Sequence, residues 1–156
     1  MDISVLDRQE DLIINTKTVS SLVRNVIALE QQCCDEVAIH FVNTAEICRL
    51  HIQFFNDPAP TDCISFPIDN EEHGYRVLGE VFVCPKTATR YAQDNGGDEY
   101  EELTLYVVHG LLHLFGYDDI KSADRALMRA AEQRHLENLK KKGHMLSAEK
   151  EHLVEA

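Results

Sequence analysis

Residues 99–115 constrain this 156-residue chain more than any other stretch. Leu103, Leu105, Tyr106, Val107, Val108, Leu111, Leu112, Leu114 and Phe115 leave almost no polar side to a helix there. A helix that is apolar all round must be buried, so the other elements have to pack around it. Asp98 with Glu101 reads as a capping box at its start, and Gly116 is placed to end it. Two histidines, His109 and His113, interrupt the apolar run. Four helical steps of about 100° leave them about 40° apart, on one face and one turn apart. Each neutral imidazole brings a donor and an acceptor that burial leaves needing partners. A pair at this spacing can instead share one metal ion, as in zinc enzymes with His-x-x-x-His on a helix.

The remaining segments alternate in type. Residues 2–14 are expected to hold a first strand. Residues 16–32 carry helical spacing, with Thr16 or Thr18 as the cap. EVAIHFVN at 36–43 alternates like a strand. Asn43 or Thr44 then caps a short helix, AEICRLHIQFF, stopped by Asn56-Asp57-Pro58. DPAPTD at 57–62 reads as a rigid loop, because each proline fixes its own backbone and restrains the residue before it. CISFPID at 63–69 and VLGEVFVC at 77–84 read as an antiparallel pair with a loose turn at EEHGY, 71–75. Pro67 lacks an N–H and belongs at a sheet edge or strand end. A helix is expected over 85–93, closed by Asn95-Gly96-Gly97, and a last one over 123–142, capped by Ser122 and ended by Gly143. The expected class is α+β: one small mixed sheet with helices packed on it, and a buried central helix carrying the metal ligands. Residues 1–143 are taken as one domain and 144–156 as a polar tail.

Several function classes lose ground on composition. No stretch approaches the roughly 20 consecutive apolar residues of a membrane span. The N-terminus MDISVLDRQEDL is mixed and acidic, unlike a signal peptide, so a soluble cytoplasmic protein is expected. Cys33, Cys34, Cys48, Cys63 and Cys84 are odd in number and show no CxxC, which argues against a disulfide framework and a thiolate zinc site. The formal net charge of -12 counts against a general nucleic-acid binder, although a local basic strip is compatible with it.

The turn after the histidine helix supplies candidates for a third ligand. Asp118 and Asp119 both follow Gly116-Tyr117, and either can fold back over the pair. Both also suit a turn, or the positive end of the next helix. Gly110 stands where helical zinc proteases carry their catalytic glutamate, which disfavours a protease.

HGLLHLFGYDD at 109–119 resembles the signature of the YbeY family of metal-dependent endoribonucleases, His-Gly-x-x-His-x-x-Gly-Tyr-Asp-His. PTDCISFP at 60–67, LGEVFVC at 78–84, and Met128 with Glu132 resemble further family stretches in order and spacing. The resemblance covers residues 46–140. It implies a small α+β domain, one divalent transition metal of the zinc type, and a single-strand-specific endoribonuclease. It further implies a role in small-subunit ribosomal RNA 3′ maturation and ribosome quality control, with RNA and the ribosome or a ribosome-associated protein as partners. DNA and membrane are not expected. The implied ligands are His109, His113 and Asp119.

This sequence departs from the family pattern twice. Asp119 stands where the family usually has histidine; aspartate is a competent ligand, and its harder oxygen shifts preference toward Mn or another divalent ion. Phe55 stands where the family usually has an arginine, which removes a cation for phosphate. That second departure favours an alternative, a ribosome-associated metal-binding factor with reduced or lost nuclease activity. Lys86 and Arg90 form one candidate phosphate-binding pair. Lys121, Arg125 and Arg129 form a stripe at four-residue spacing on the last helix, from which Arg125 is taken as a substrate contact. Glu80 and Asp118 are candidate general bases, although the sequence dictates none.

Overall fold

The computed structural model describes residues 1–57 and 61–148. Its elements are β1 (Asp2–Arg8), α1 (Thr16–Leu29), β2 (Glu36–Val42), α2 (Thr44–Phe55), β3 (Cys63–Glu72), β4 (Tyr75–Val83), α3 (Pro85–Asn95), α4 (Glu99–Leu114) and α5 (Ser122–Lys142). The four strands form one sheet in the order β1-β2-β4-β3. β1 runs parallel to β2, β2 runs parallel to β4, and β3 closes the edge antiparallel to β4. The expected mixed sheet in an α+β fold is therefore observed. Pro67 lies on the edge strand, where its missing N–H breaks no ladder with a further neighbour.

Side-chain alternation assigns the two sheet faces. Val37, Ile39 and Phe41 on β2 and Val81 and Val83 on β4 enter the larger core with α1, α4 and α5. Val42, Ile64 and Cys84 face the other way, with Ile47 and Leu50 of α2 over them and Phe66 and Phe82 alongside. The layers are thus one helix on one face and the remaining packing on the other. α4 is the hub of the larger core. Leu103, Val107, Val108, Leu111 and Leu112 are fully buried, each worth about 1.5–3 kcal/mol against exposure. After the first turn of α4, Leu105, His109 and His113 are the residues that stay partly open.

Local chemistry shifts several boundaries from those expected. β1 ends at Arg8 because the Gln9 side chain bonds Leu12 at both its N–H and its carbonyl, folding 9–12 into a turn. Asn15, not Thr16 or Thr18, caps α1 by accepting from Lys17 N at 3.1 Å. That helix stops at Leu29, short of residue 32, and Gln31 takes a left-handed conformation. Asn43 caps α2. The β3–β4 turn is tight: β3 runs to Glu72, β4 starts at Tyr75, and His73 and Gly74 both have positive φ. That two-residue geometry matches the strand twist, which a loose turn over 71–75 does not. Asp98 accepts from Tyr100 N and Glu101 N, while the Glu101 carboxylate takes Lys140 as its partner. Ser122 is the first residue of α5 and Lys121 the capping position, with no side-chain cap bond. Past Gly143 the chain still packs: Leu146 is buried, and its N–H donates to Thr104 Oγ1. The rigid loop expected at 57–62 lies partly outside the described residues. Among the described residues, no helix is long and apolar enough to cross a membrane.

Gly110 shows how closely α4 lies on the sheet. A Cβ built there sits 2.4 Å from Val81 Cγ1 and 3.3 Å from Ser65 Oγ. The Ser65 hydroxyl donates to Gly110 O at 2.9 Å, tying α4 to β3. We expect Gly110→Ala to lose about 1–2 kcal/mol in denaturant unfolding, since overpacking outweighs the gain of roughly 1 kcal/mol in helix propensity. A stabilised variant would contradict this packing.

Candidate metal centre

α4 brings His109 and His113 to the open side, with their rings 4.6 Å apart between centroids and nearly perpendicular. What lies behind each ring decides its chemistry. His109 Nδ1–H donates to Glu132 Oε2 at 2.7 Å, and His113 Nδ1–H donates to the Tyr117 carbonyl at 3.0 Å. Carboxylate and carbonyl oxygens only accept, so both rings carry their proton on Nδ1. In the neutral rings both Nε2 atoms are then lone pairs, and they face each other at 3.0 Å. Two lone pairs at that distance repel unless a proton or a cation lies between them.

The turn after α4 adds the carboxylate. Gly116 has φ +96°, which reverses the chain after Phe115. Asp119 Oδ2 then lies 3.6 Å from His109 Nε2 and 3.8 Å from His113 Nε2. The three residues each offer one ligand atom, all within 4.8 Å of one another. A tetrahedral ion with bonds of about 2.0–2.2 Å sets its ligand atoms about 3.3–3.6 Å apart, so this donor set fits one divalent ion with a fourth position left open. Asp118 does something else: its Oδ1 accepts from Asp119 N and Ile120 N and holds the turn that presents Asp119.

Glu132, to which sequence reasoning gave no role, joins the candidate site. It comes from α5, is 4% exposed, and binds Arg129 as well as His109. Burial pushes its carboxyl pKa up. The hydrogen bonds and charges of His109 and Arg129 outweigh that, and the net value is below the ordinary one. Glu132 is therefore a carboxylate that fixes the His109 tautomer. The signal was its place among Met128, Ala131, His135 and Leu139 on the buried face of a charged helix.

The surroundings sort the other candidates. Glu80 points away from α4, since its neighbour Val81 faces Gly110; its carboxylate accepts from His40 at 2.9 Å on the far side of the sheet. Glu80 and Asp118 thus both have structural partners, and neither is placed as a general base. A cavity of about 330 Å³ opens beside the ligands. It is lined by His109 and His113 of α4, by Cys63, Ile64, Ser65 and Pro67 of β3, and by His51 and Phe55 of α2. Lys86, Arg90 and Arg125 do not line it. Arg90 and Arg125 are exposed, and Arg125 donates to Ile120 O. Arg129, from the same stripe, is engaged by both Glu132 oxygens at 2.6 and 2.9 Å. Cys63 also borders the cavity; burial, then the charges of Asp62, Asp119 and Glu132, push its thiol pKa well up.

Gly110 bears on the protease comparison. A side chain there projects into Val81 and Ser65, not toward the ligands, so this position cannot present a catalytic carboxylate.

Known proteins resemble this chain over nearly its whole length. Residues 4–140 match the family model described as Endoribonuclease YbeY. A protein named Endoribonuclease YbeY from Protochlamydia amoebophila is 54% identical over 140 residues, covering 89% of this chain and 93% of its own. Another of that name, from Chlamydia abortus, is 37% identical over 153 residues, covering 94% and 96%. The solution structure of TM1509 from Thermotoga maritima superposes with a TM-score of 0.65 at 25% identity, covering 91% of each chain.

The ligand geometry yields a graded expectation for metal content by elemental analysis. His109→Ala and His113→Ala should each abolish a stoichiometric ion, and Asp119→Ala should weaken its retention. Glu132→Gln should lower affinity about 10–100-fold, the usual effect of losing a partner that orients a ligand histidine. If Asp119→Ala keeps its ion as tightly as wild type, the third ligand is misassigned.

Proposed function

The chain belongs to the Endoribonuclease YbeY family, and from that premise we propose that it is a metal-dependent endoribonuclease acting on single-stranded regions of ribosomal RNA. The observation that carries this reading is the convergence of two Nε2 atoms and one carboxylate oxygen, with both histidines lining a cavity. We assign His109, His113 and Asp119 as ligands of one divalent ion, zinc first and manganese as the alternative that a carboxylate oxygen admits. A bound ion of this kind supplies Lewis-acid polarisation of a phosphoryl oxygen and acidifies a water.

The chain's own residues do the rest. Glu132 and the Tyr117 carbonyl hold the Nδ1 protons, so both Nε2 atoms stay available for coordination. Arg129 offsets the buried Glu132 charge and keeps that carboxylate from competing for the ion. The β3 edge and the α2 wall leave a cleft open on one side, which suits a flexible strand. Lys86, Arg90 and Arg125 are assigned to phosphates farther along the strand. They are few against a net charge of -12. Intrinsic affinity for RNA is therefore low, and the ribosome or a protein on it presents the substrate. Maturation of the small-subunit rRNA 3′ end and ribosome quality control, in the cytoplasm, are the roles that the family assignment favours. We take residues 1–143 as the unit that acts.

A second reading, a ribosome-bound metal protein without nuclease activity, is favoured by Phe55, which gives the cavity an aromatic wall without a cation. Cleavage assays on structured ribosomal RNA separate the two. We expect cutting of unpaired segments that is abolished by a chelator, restored by Zn or Mn, and absent in His109→Ala. A metal-loaded wild type that cuts no RNA would leave the second reading standing.

A further inference from the structure

Part of the lining of the cavity that His109 and His113 border is aromatic. Phe55 closes α2 with 55% of its surface exposed, and its ring lies 5.5 Å from that of His51, one turn earlier. The preceding Phe54 sits edge-on against Phe66 at 4.8 Å, and Phe66 continues to Phe82 at 5.6 Å. Phe54 thus anchors the helix end to the sheet, while Phe55 and His51 border the cavity. An exposed Phe55 ring, set at 53° to a half-buried His51 and carried on a helix end with an aromatic anchor, is a preorganised contact.

The charges around the site rule out one obvious way of gripping RNA. Asp119 and Glu132 are acidic, and Arg129, the cation beside them, is held by both Glu132 oxygens. Among the described residues, the cavity lining contains no lysine or arginine. A phosphate meets little attraction here beyond that of the ion itself. A nucleobase does not need it, because stacking draws on a π-face and apolar area. Only an unpaired base has a face to offer, since in a duplex both faces are covered by neighbours.

Building on the nuclease reading, we propose that Phe55 and His51 form a stacking subsite for one unpaired nucleobase next to the phosphate held at the metal. The subsite takes the place of a cationic phosphate clamp and makes the cleft selective for single strands. It accepts any of the four bases, because it reads a ring face, not a hydrogen-bonding edge.

The test uses a single-stranded RNA carrying 2-aminopurine, whose fluorescence falls on stacking. Binding is measured on chelated protein, where no cutting occurs, and KM on metal-loaded protein. Wild type should quench the probe. Phe55→Ala and Phe55→Leu should lose the quench and weaken binding about tenfold or more, while Phe55→Trp should retain both. Because Phe55 is exposed, these variants should fold, which circular dichroism checks. KM should rise in parallel for Phe55→Ala, and the preference for single over double strands should shrink. Unchanged quench and affinity in Phe55→Ala would overturn the subsite and leave this face to a protein partner. If wild type cuts RNA but Phe55→Ala binds like wild type, the subsite fails alone. If chelated protein stacks the probe through Phe55 yet metal-loaded protein cuts nothing, the nuclease reading fails and the subsite stands.

Discussion

Two imidazole nitrogens face each other at 3.0 Å with their protons held on the far side of each ring. Left alone, that arrangement is repulsive, and the fold exists in a form that enforces it. Helix geometry sets the spacing of His109 and His113. The sheet, through Gly110 against Val81, sets the rotation of α4 about its axis. α5 delivers Glu132 to one ring, and the turn at Gly116 delivers the Tyr117 carbonyl to the other. The same turn, pinned by Asp118, presents Asp119. Together these contacts hold two neutral imidazole nitrogens close enough to share a cation, a juxtaposition that is unfavourable without one.

The centre of the fold was legible because one signal dominated it. A helix apolar on all sides has to be buried, and it is. Alternation placed a strand at 36–43, observed as Glu36–Val42; the apolar run at 77–84 placed the one observed as Tyr75–Val83; and Pro67 pointed to an edge position or a strand end for β3. Boundaries set by side-chain hydrogen bonds were less legible. The Gln9 turn and the Asn15 cap depend on which polar side chain reaches which N–H, and several neighbours had the right chemistry. The tight β3–β4 turn was hidden because His73-Gly74 is not one of the Asn-Gly, Asp-Gly or Gly-Gly pairs that mark such a turn.

For the site, helical spacing exposed the two histidines, but spacing did not choose between Asp118 and Asp119. The choice depends on which carboxylate is consumed by the turn, and that is a property of the loop. Glu132 lies 23 residues from His109, and no periodicity links α5 to α4. The face on which Glu80 would lie was open until β4 was seen against α4. Phe55 read as a missing cation in the sequence. In three dimensions it is one wall of the cavity that the ligands border, so the substitution changes the kind of contact offered to a substrate.

The central claim is that His109 Nε2, His113 Nε2 and one Asp119 oxygen ligate a single ion. X-ray absorption spectroscopy of the protein loaded with one equivalent of zinc reads that shell directly. The account predicts about four nitrogen and oxygen scatterers near 2.0–2.2 Å, with the outer-shell pattern of two imidazoles that falls to one in His113→Ala. A sulfur scatterer near 2.3 Å, placing Cys63 on the ion, or a shell without imidazole would contradict it.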